Sequence, residues 1–343
     1  MKKKVLVALS LSAVAAGTAV LAAVVSAQVP RWRRVQEAVP RELWSPVLFV
    51  PTSLTSERSL RFMRALPTPD RVPAGVRHEV VQAVVEGRDP ISVHTYEPPE
   101  RVRPSGALLW IHGGGFVMGS PAIGHQFCSR VATELGVLVV SVDYRLAPEH
   151  PFPTPLEDTY TGLRWLSDQA LELGVDPTRV AIGGDSAGGG LAASLSQLAL
   201  DREEVPVCFQ LLVYPMLDDR SALRADHAGT GDFVWNPPSN RFGWTSYLGR
   251  TPTADSAPSY AAAARRVDLS GLPPAWIGVG DLDLFHAEDV AYAERLRSAG
   301  VPVELVVVSG MYHGADQIPP AAASPSMAGF NRSKLDALRS AIG

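Results

Sequence analysis

The sequence predicts an α/β fold: a mostly parallel central sheet flanked by helices, with a helical cap. Three observations point to it. The chain has 343 residues, 46% of them hydrophobic and 19% charged, enough for one large core. From about residue 78 onward, short apolar runs alternate with helical patterns. Most of these runs are apolar nearly throughout, as expected of parallel strands buried on both faces.

Taken in order, "HEVVQAVVEG" and "ISVHTYEP" predict a leading hairpin. "ALLWIH" (107–112) and "LGVLVVSVDY" (135–144) read as buried strands. "TYTGLRWLSDQALELG" (159–174) predicts an amphipathic helix with Leu163, Leu166, Ala170 and Leu171 on one face. "RVAIGGDS" predicts a strand entering a tight turn, and "AGGGLAASLSQLAL" a helix of small residues. "VCFQLLVYP", "AWIGVGD" and "VELVVVSG" predict further buried strands, and 287–300 a helix ending at Gly300. Two segments break the alternation: 30–75, rich in Pro and Arg, and 217–265, which carries Trp235, Trp244 and Tyr247. An insertion as long as the latter is functional or a lid. Cys128 and Cys208 show no metal or disulfide spacing and are expected to be buried and unbonded.

The first 27 residues form a separate unit. Lys2, Lys3 and Lys4 precede an uncharged 23-residue stretch, Val5 to Ala27, and Val25-Ser26-Ala27 offers the small residues of a cleavage site. The stretch exceeds a usual signal core and reaches the roughly 20 residues that span a bilayer. A signal peptide and a signal anchor both fit, so export or anchoring in a bacterial cell envelope is expected. The divisions expected are 1–27, an N-terminal cap segment 28–77, and a catalytic domain 78–343 with a lid at 217–265. The net charge of −4 offers no basic face for nucleic acid.

Ser186 stands in "IGGDSAGGG" between a predicted strand and a predicted helix. That is the context of the G-x-S-x-G turn, where the residues two before and two after the nucleophile, here Gly184 and Gly188, must lack side chains. A β-barrel protease with a similar GDSGG signature is excluded by the α/β pattern. "WIHGGGFVMGS" follows a strand upstream; its glycines allow backbone amides to face an oxyanion, so Gly114, Gly115 and Ala187 are the candidate N–H donors. A phosphate loop fits less well, because the Gly-Lys-Ser/Thr ending is missing. His112 precedes that loop and is expected to hydrogen-bond its backbone rather than act as base. In "DYRLAPEHPFP", Asp143 and Arg145 are expected to pair and brace the glycine loop; Glu149 and His150 are candidate catalytic groups, with a structural loop the favoured reading. His313 follows "VELVVVSG" on a loop after a strand, where catalytic groups collect.

HGGGF, DYRLAPEHPFP, GDSAGG and a late His-Gly, in that order, resemble the hormone-sensitive-lipase-like branch of the α/β-hydrolases, bacterial carboxylesterases of the GDSAG type. The resemblance covers about 78–343. It implies a triad of Ser186, Asp283 and His313, an HGGG oxyanion loop, and a lid built from an N-terminal segment and an insertion before the acid. Relatives carry a Glu five residues after the acid; Glu288 meets this from Asp283, whereas Asp281 would call on His286. The chain departs from the family at Ala287, where many relatives have an acid, and at Asp281, where an uncharged residue is common.

The expected activity is serine carboxylic-ester hydrolysis on short- to medium-chain esters, without metal or cofactor. Amide, lactone or acetyl-sugar cleavage would use the same groups. A non-catalytic receptor is the rival from another class: plant gibberellin receptors resemble the same family but lack the histidine. The partners expected are a small-molecule ester, a membrane through residues 5–27, and at most a second copy of the chain.

Overall fold

Strands Arg77–Ala83 (β1) and Ile91–Glu97 (β2) form the expected hairpin, with Arg77 opposite Glu97 and Ala83 opposite Ile91. The structure is a computed structural model and describes residues 30–50, 53–68 and 70–343. The expected signal or anchor at 1–27 lies outside the described residues. Among those described, no helix is long and apolar enough to cross a membrane.

Six further strands follow: Ser105–Ile111 (β3), Leu138–Asp143 (β4), Val175–Asp185 (β5), Phe209–Val213 (β6), Ala275–Gly280 (β7) and Val303–Val308 (β8). The sheet order is β1-β2-β4-β3-β5-β6-β7-β8. β2 meets β4 antiparallel, and every pair from β4 to β8 is parallel. β3 and β7 are buried along their whole length, as their unbroken apolar runs require. β8 differs from the expectation of a buried strand. It is the last strand of the sheet, and its residues are half-buried or exposed.

The helices are 30–38 (α1), Glu57–Arg64 (α2), His125–Leu135 (α3), Thr154–Asp168 (α4), Ala170–Leu173 (α5), Ala187–Arg202 (α6), Pro237–Leu248 (α7), His286–Ser298 (α8) and Pro325–Ile342 (α9). Alternate residues of β3 face two cores. Ala107, Leu109 and Ile111 pack with Leu163 of α4, Leu191 of α6 and Leu296 of α8. Leu108 and Trp110 pack on the other side with Val131 of α3 and Leu335 and Leu338 of α9. Each such Leu or Val contributes about 1.5–3 kcal/mol of burial. α9 completes the second core and was not singled out in the sequence. It is started by the Ser324 hydroxyl, which accepts from Met327 N–H at 3.2 Å, and by Pro325 at its first position.

One helix expectation needs correction. Leu163, Leu166 and Ala170 are buried, but Leu171 is 95% exposed. α4 ends at Asp168, and Gln169 (φ −94°, ψ 5°) breaks the helical phase before the single turn of α5. The cysteines are both free; Cys128 is buried as expected, while Cys208 is only half-buried beside β6.

The two segments that break the alternation meet each other. Leu54 N–H donates to Ser239 Oγ at 2.9 Å, and Arg34 Nε lies 2.6 Å from an Asp232 carboxylate oxygen. The second segment reaches the carboxyl ends of the strands through Trp235, whose ring lies against Gly115.

Candidate active site

β5 ends at Asp185 and α6 begins at Ala187, so Ser186 alone makes the turn. Its backbone sits at φ 55° and ψ −120°, a region that costs a non-glycine residue about 1–3 kcal/mol. Three hydrogen bonds hold it there. Ser186 N–H donates to Val213 O at 2.9 Å, and Ser186 O accepts from Gly190 N–H at 3.0 Å and Met216 N–H at 2.9 Å. The flanking glycines are sterically required. A Cβ at 184 would collide with the Gly188 carbonyl and Ile111 O, and one at 188 with the carbonyls of Ile111 and His112. The result is a side chain lifted off the sheet at the N-terminus of a 16-residue helix, whose end favours negative charge.

His313 lies in the loop after β8, and Asp283 in the turn between β7 and α8. The Ser186 hydroxyl lies 2.9 Å from His313 Nε2, and His313 Nδ1 lies 2.8 Å from Asp283 Oδ2. Asp283 Oδ1 accepts from Phe285 N–H at 3.0 Å. Asp283 is fully buried, and Ser186 and His313 are nearly so. In this arrangement Nδ1 faces the carboxylate and Nε2 faces the hydroxyl, so a proton on Nδ1 would leave the Nε2 lone pair toward Ser186. Tyr214, Phe285 and Trp235 ring the imidazole at centroid distances of 4.8, 5.3 and 6.5 Å.

Asp281 goes elsewhere. Its carboxylate accepts from Gly310 N–H at 2.6 Å and from the Ser309 hydroxyl at 3.0 Å. The strand ends at Gly280, so both aspartates sit in the turn and strand alternation does not govern them.

The glycine loop follows β3. Gly114 and Gly115 stand at φ 122° and 63°, and a Cβ at 113 would touch Ser186 Cβ, so the loop backs directly onto the serine. Among the described residues, the N–H groups of Gly114, Gly115 and Ala187 have no backbone acceptor. His112 is fully buried with Nδ1 2.8 Å from Gly113 O, and its ring stacks on Tyr144 at 4.3 Å. Burial pushes its pKa down to about 4, so it is neutral and braces the loop from below.

The expected Asp143–Arg145 pair does not form. Arg145 instead forks onto the buried Asp158 of α4, at 2.7 and 3.0 Å, and reaches Asp89 at 3.0 Å. Asp143 ends its strand exposed, whereas Asp158 is buried in reach of the guanidinium. Glu149 and His150 are exposed and stand in the structural loop. Glu149 takes two hydrogen bonds from Arg64, at 2.7 and 3.0 Å, which hold its pKa below the ordinary value.

Arg64 was not singled out in the sequence. From α2 it also donates to Val117 O at 2.7 Å and Ala147 O at 2.9 Å, tying the N-terminal segment to the glycine loop and to the 144–153 loop. A second unforeseen group holds the His313 loop. Gln317 Nε2 donates to Asp185 at 2.7 Å and to Tyr214 Oη at 2.8 Å. Tyr214 donates to Asp316 at 2.9 Å, and Asp316 also takes the buried Lys334 of α9 at 2.7 Å. A third lies in α8. Glu288 Oε1 accepts from Leu217 and Asp218 N–H at 2.8 and 3.0 Å, and burial together with Asp218 pushes its pKa up to about 8. Burial, with Glu288 and Asp283 nearby, pushes the neighbouring Asp289 well above the carboxylate range.

A profile of the alpha/beta hydrolase fold matches residues 108–317, more than half of the chain. The chain belongs to this family. This hydrolase is 36% identical over 263 residues to carboxylesterase NlhH of Mycobacterium tuberculosis, covering 74% of this chain and 79% of that one. It superposes on a bacterial heroin esterase with a TM-score of 0.79 at 34% identity, covering 90% of this chain and 99% of the other. It is also 30% identical over 240 residues to the gibberellin receptor GID1B of Arabidopsis thaliana, covering 68% of this chain and 64% of the receptor. The family thus spans esterases and a receptor, and the site decides which this chain resembles in function.

Proposed function

We propose that the chain is a serine carboxylic-ester hydrolase acting through an acyl-enzyme on short- to medium-chain esters. The observation that carries this reading is the unbroken chain from the Ser186 hydroxyl to His313 Nε2 at 2.9 Å and from His313 Nδ1 to Asp283 at 2.8 Å. Esterases among its relatives support it.

In this reading, His313 takes the Ser186 proton as Oγ attacks the ester carbonyl. The tetrahedral oxyanion is held by N–H groups of Gly114, Gly115 and Ala187; one such donor is worth about 10²–10³-fold in rate. The imidazolium returns the proton to the leaving alkoxide, and the alcohol departs. Water, deprotonated by His313, then attacks the acyl group and releases the acid and free Ser186. Asp283 keeps the tautomer correct and stabilises the imidazolium, with Phe285 N–H orienting the carboxylate. Trp235, beside the His313 ring, gives the acyl or alcohol group an apolar wall, with the buried Phe285 backing the imidazole. The segments 28–77 and 217–265 act as cap and lid over the catalytic domain 78–343.

A receptor of the same fold is the second reading, favoured only by the GID1B likeness. The presence of His313 with both hydrogen bonds weighs against it. Treatment with a fluorophosphonate probe and peptide mapping separates the two. The esterase is labelled at Ser186, whereas a receptor stays unlabelled. Amide, lactone and acetyl-sugar substrates belong in the same assay panel as nitrophenyl esters of rising acyl length. Residues 1–27 are further proposed as a signal peptide or anchor. Sequencing of the mature N-terminus tests this: Gln28 at the start selects cleavage, and an intact Met1 on membrane-bound protein selects the anchor.

A further inference from the structure

A second cluster of chemistry-bearing side chains lies at the β1–β2 edge of the sheet. His78 on β1, His94 on β2 and His125 at the start of α3 each bring one ring nitrogen to within 4.8 Å of the others. His78 pairs across the strands with Tyr96 and His94 with Val80, so the two histidines are diagonal neighbours on one face. His78 Nε2 and His94 Nδ1 are 3.0 Å apart, and the His125 ring stands 5.2 and 6.0 Å from theirs, centroid to centroid. A carboxylate stands beside the group, outside the 4.8 Å cluster: Asp70 Oδ1 lies 3.0 Å from His125 Nε2. His125 Nδ1 is held at 2.7 Å by the buried Tyr96 hydroxyl.

The geometry points to a structural zinc site formed by His78, His94, His125 and Asp70. Imidazole and carboxylate are the ligands this borderline ion takes. Tetrahedral zinc at about 2.0–2.1 Å from nitrogen separates its ligand atoms by about 3.4 Å. That distance falls between the shortest His–His contact of 3.0 Å and the 4.8 Å span of the cluster. Small side-chain shifts close the difference. His78 and His94 are half-buried, and the Asp70 side chain is 82% exposed and free to swing in. Tyr96 supplies the outer partner that fixes the orientation of a ligating histidine. With Asp70 swung in beside the three histidines, four protein ligands fill the shell, so the ion is structural rather than hydrolytic. It ties the N-terminal segment at Asp70 to the hairpin and to α3, an edge that the Ser186 chemistry does not use.

The test is zinc binding by the untagged full chain after chelator treatment, read by competition with a chromogenic chelator, by thermal melting, and by the visible spectrum of the cobalt form. The site predicts one equivalent of zinc, a rise in Tm on adding it, and the intense bands of four-coordinate cobalt. His94→Ala and the milder His78→Gln should each weaken binding by more than the about 10–100-fold that loss of an outer partner costs, and Tyr96→Phe should fall within that range. His313→Ala should still bind one equivalent. The proposal is overturned if wild type shows no saturable binding, if His78→Gln and His94→Ala bind as wild type does, or if His313→Ala abolishes binding.

Discussion

Asp283 and His313 face each other at 2.8 Å, while Asp281, two residues earlier, closes the turn after β8 through Gly310 and Ser309. The proposed acid is therefore Asp283. Asp283→Asn should lower kcat by about 10⁴-fold, as when a serine protease loses its orienting anion. Asp281→Asn should cost far less activity and show itself mainly as a lower Tm. Steady-state rates of the two variants decide the matter. A larger loss in Asp281→Asn would move the assignment.

Trp235 covers Gly115 and stands 6.5 Å from the His313 ring. It is the aromatic of the 217–265 segment best placed to limit the acyl group. Trp235→Ala should raise rates on longer acyl chains relative to acetate. Trp244 is instead fully buried against Phe116 at 5.2 Å, so its loss should act first on stability, by about 3–5 kcal/mol. The ratio of acetate to octanoate nitrophenyl ester turnover reads the first effect. An unchanged ratio in Trp235→Ala refutes the lid's role in selectivity.

Glu288 carries a pH signature. Its pKa in the fold is raised from 4.5 to about 8, mainly by burial. The folded chain thus binds more protons than the unfolded chain between those values, and stability falls as pH rises through that window. Glu288→Gln keeps an oxygen for Leu217 and Asp218 N–H but cannot ionise. Its Tm should match wild type near pH 4 and exceed it near pH 9. Parallel Tm curves across the whole range would contradict this.

The parts of the site written in backbone requirements were legible. Gly184 and Gly188 are needed because neighbouring carbonyls occupy the space of a side chain, so the turn around Ser186 shows in the letters. Glu288, five residues after Asp283, marks the register of the proposed acid through the family resemblance. Contacts between distant segments were not legible. Arg64 reaches Val117 across 53 residues and Gln317 reaches Asp185 across 132, and neither carries a local pattern. Arg145 went to Asp158 because a helix brings that buried carboxylate to it, which spacing within "DYRLAPEHPFP" does not reveal. Leu171 leaves the expected buried face because periodicity assumes an unbroken helix, and Gln169 breaks it.

The central claim is that Ser186 is the nucleophile of an ester hydrolase. The most direct measurement is kcat/KM of Ser186→Ala on a short-chain nitrophenyl ester, beside wild type, with circular dichroism showing both folded. The mutant should retain the fold and lose about 10⁴- to 10⁶-fold in rate, since serine and histidine act as one unit. A folded Ser186→Ala that hydrolyses the ester at a rate near wild type would contradict the account.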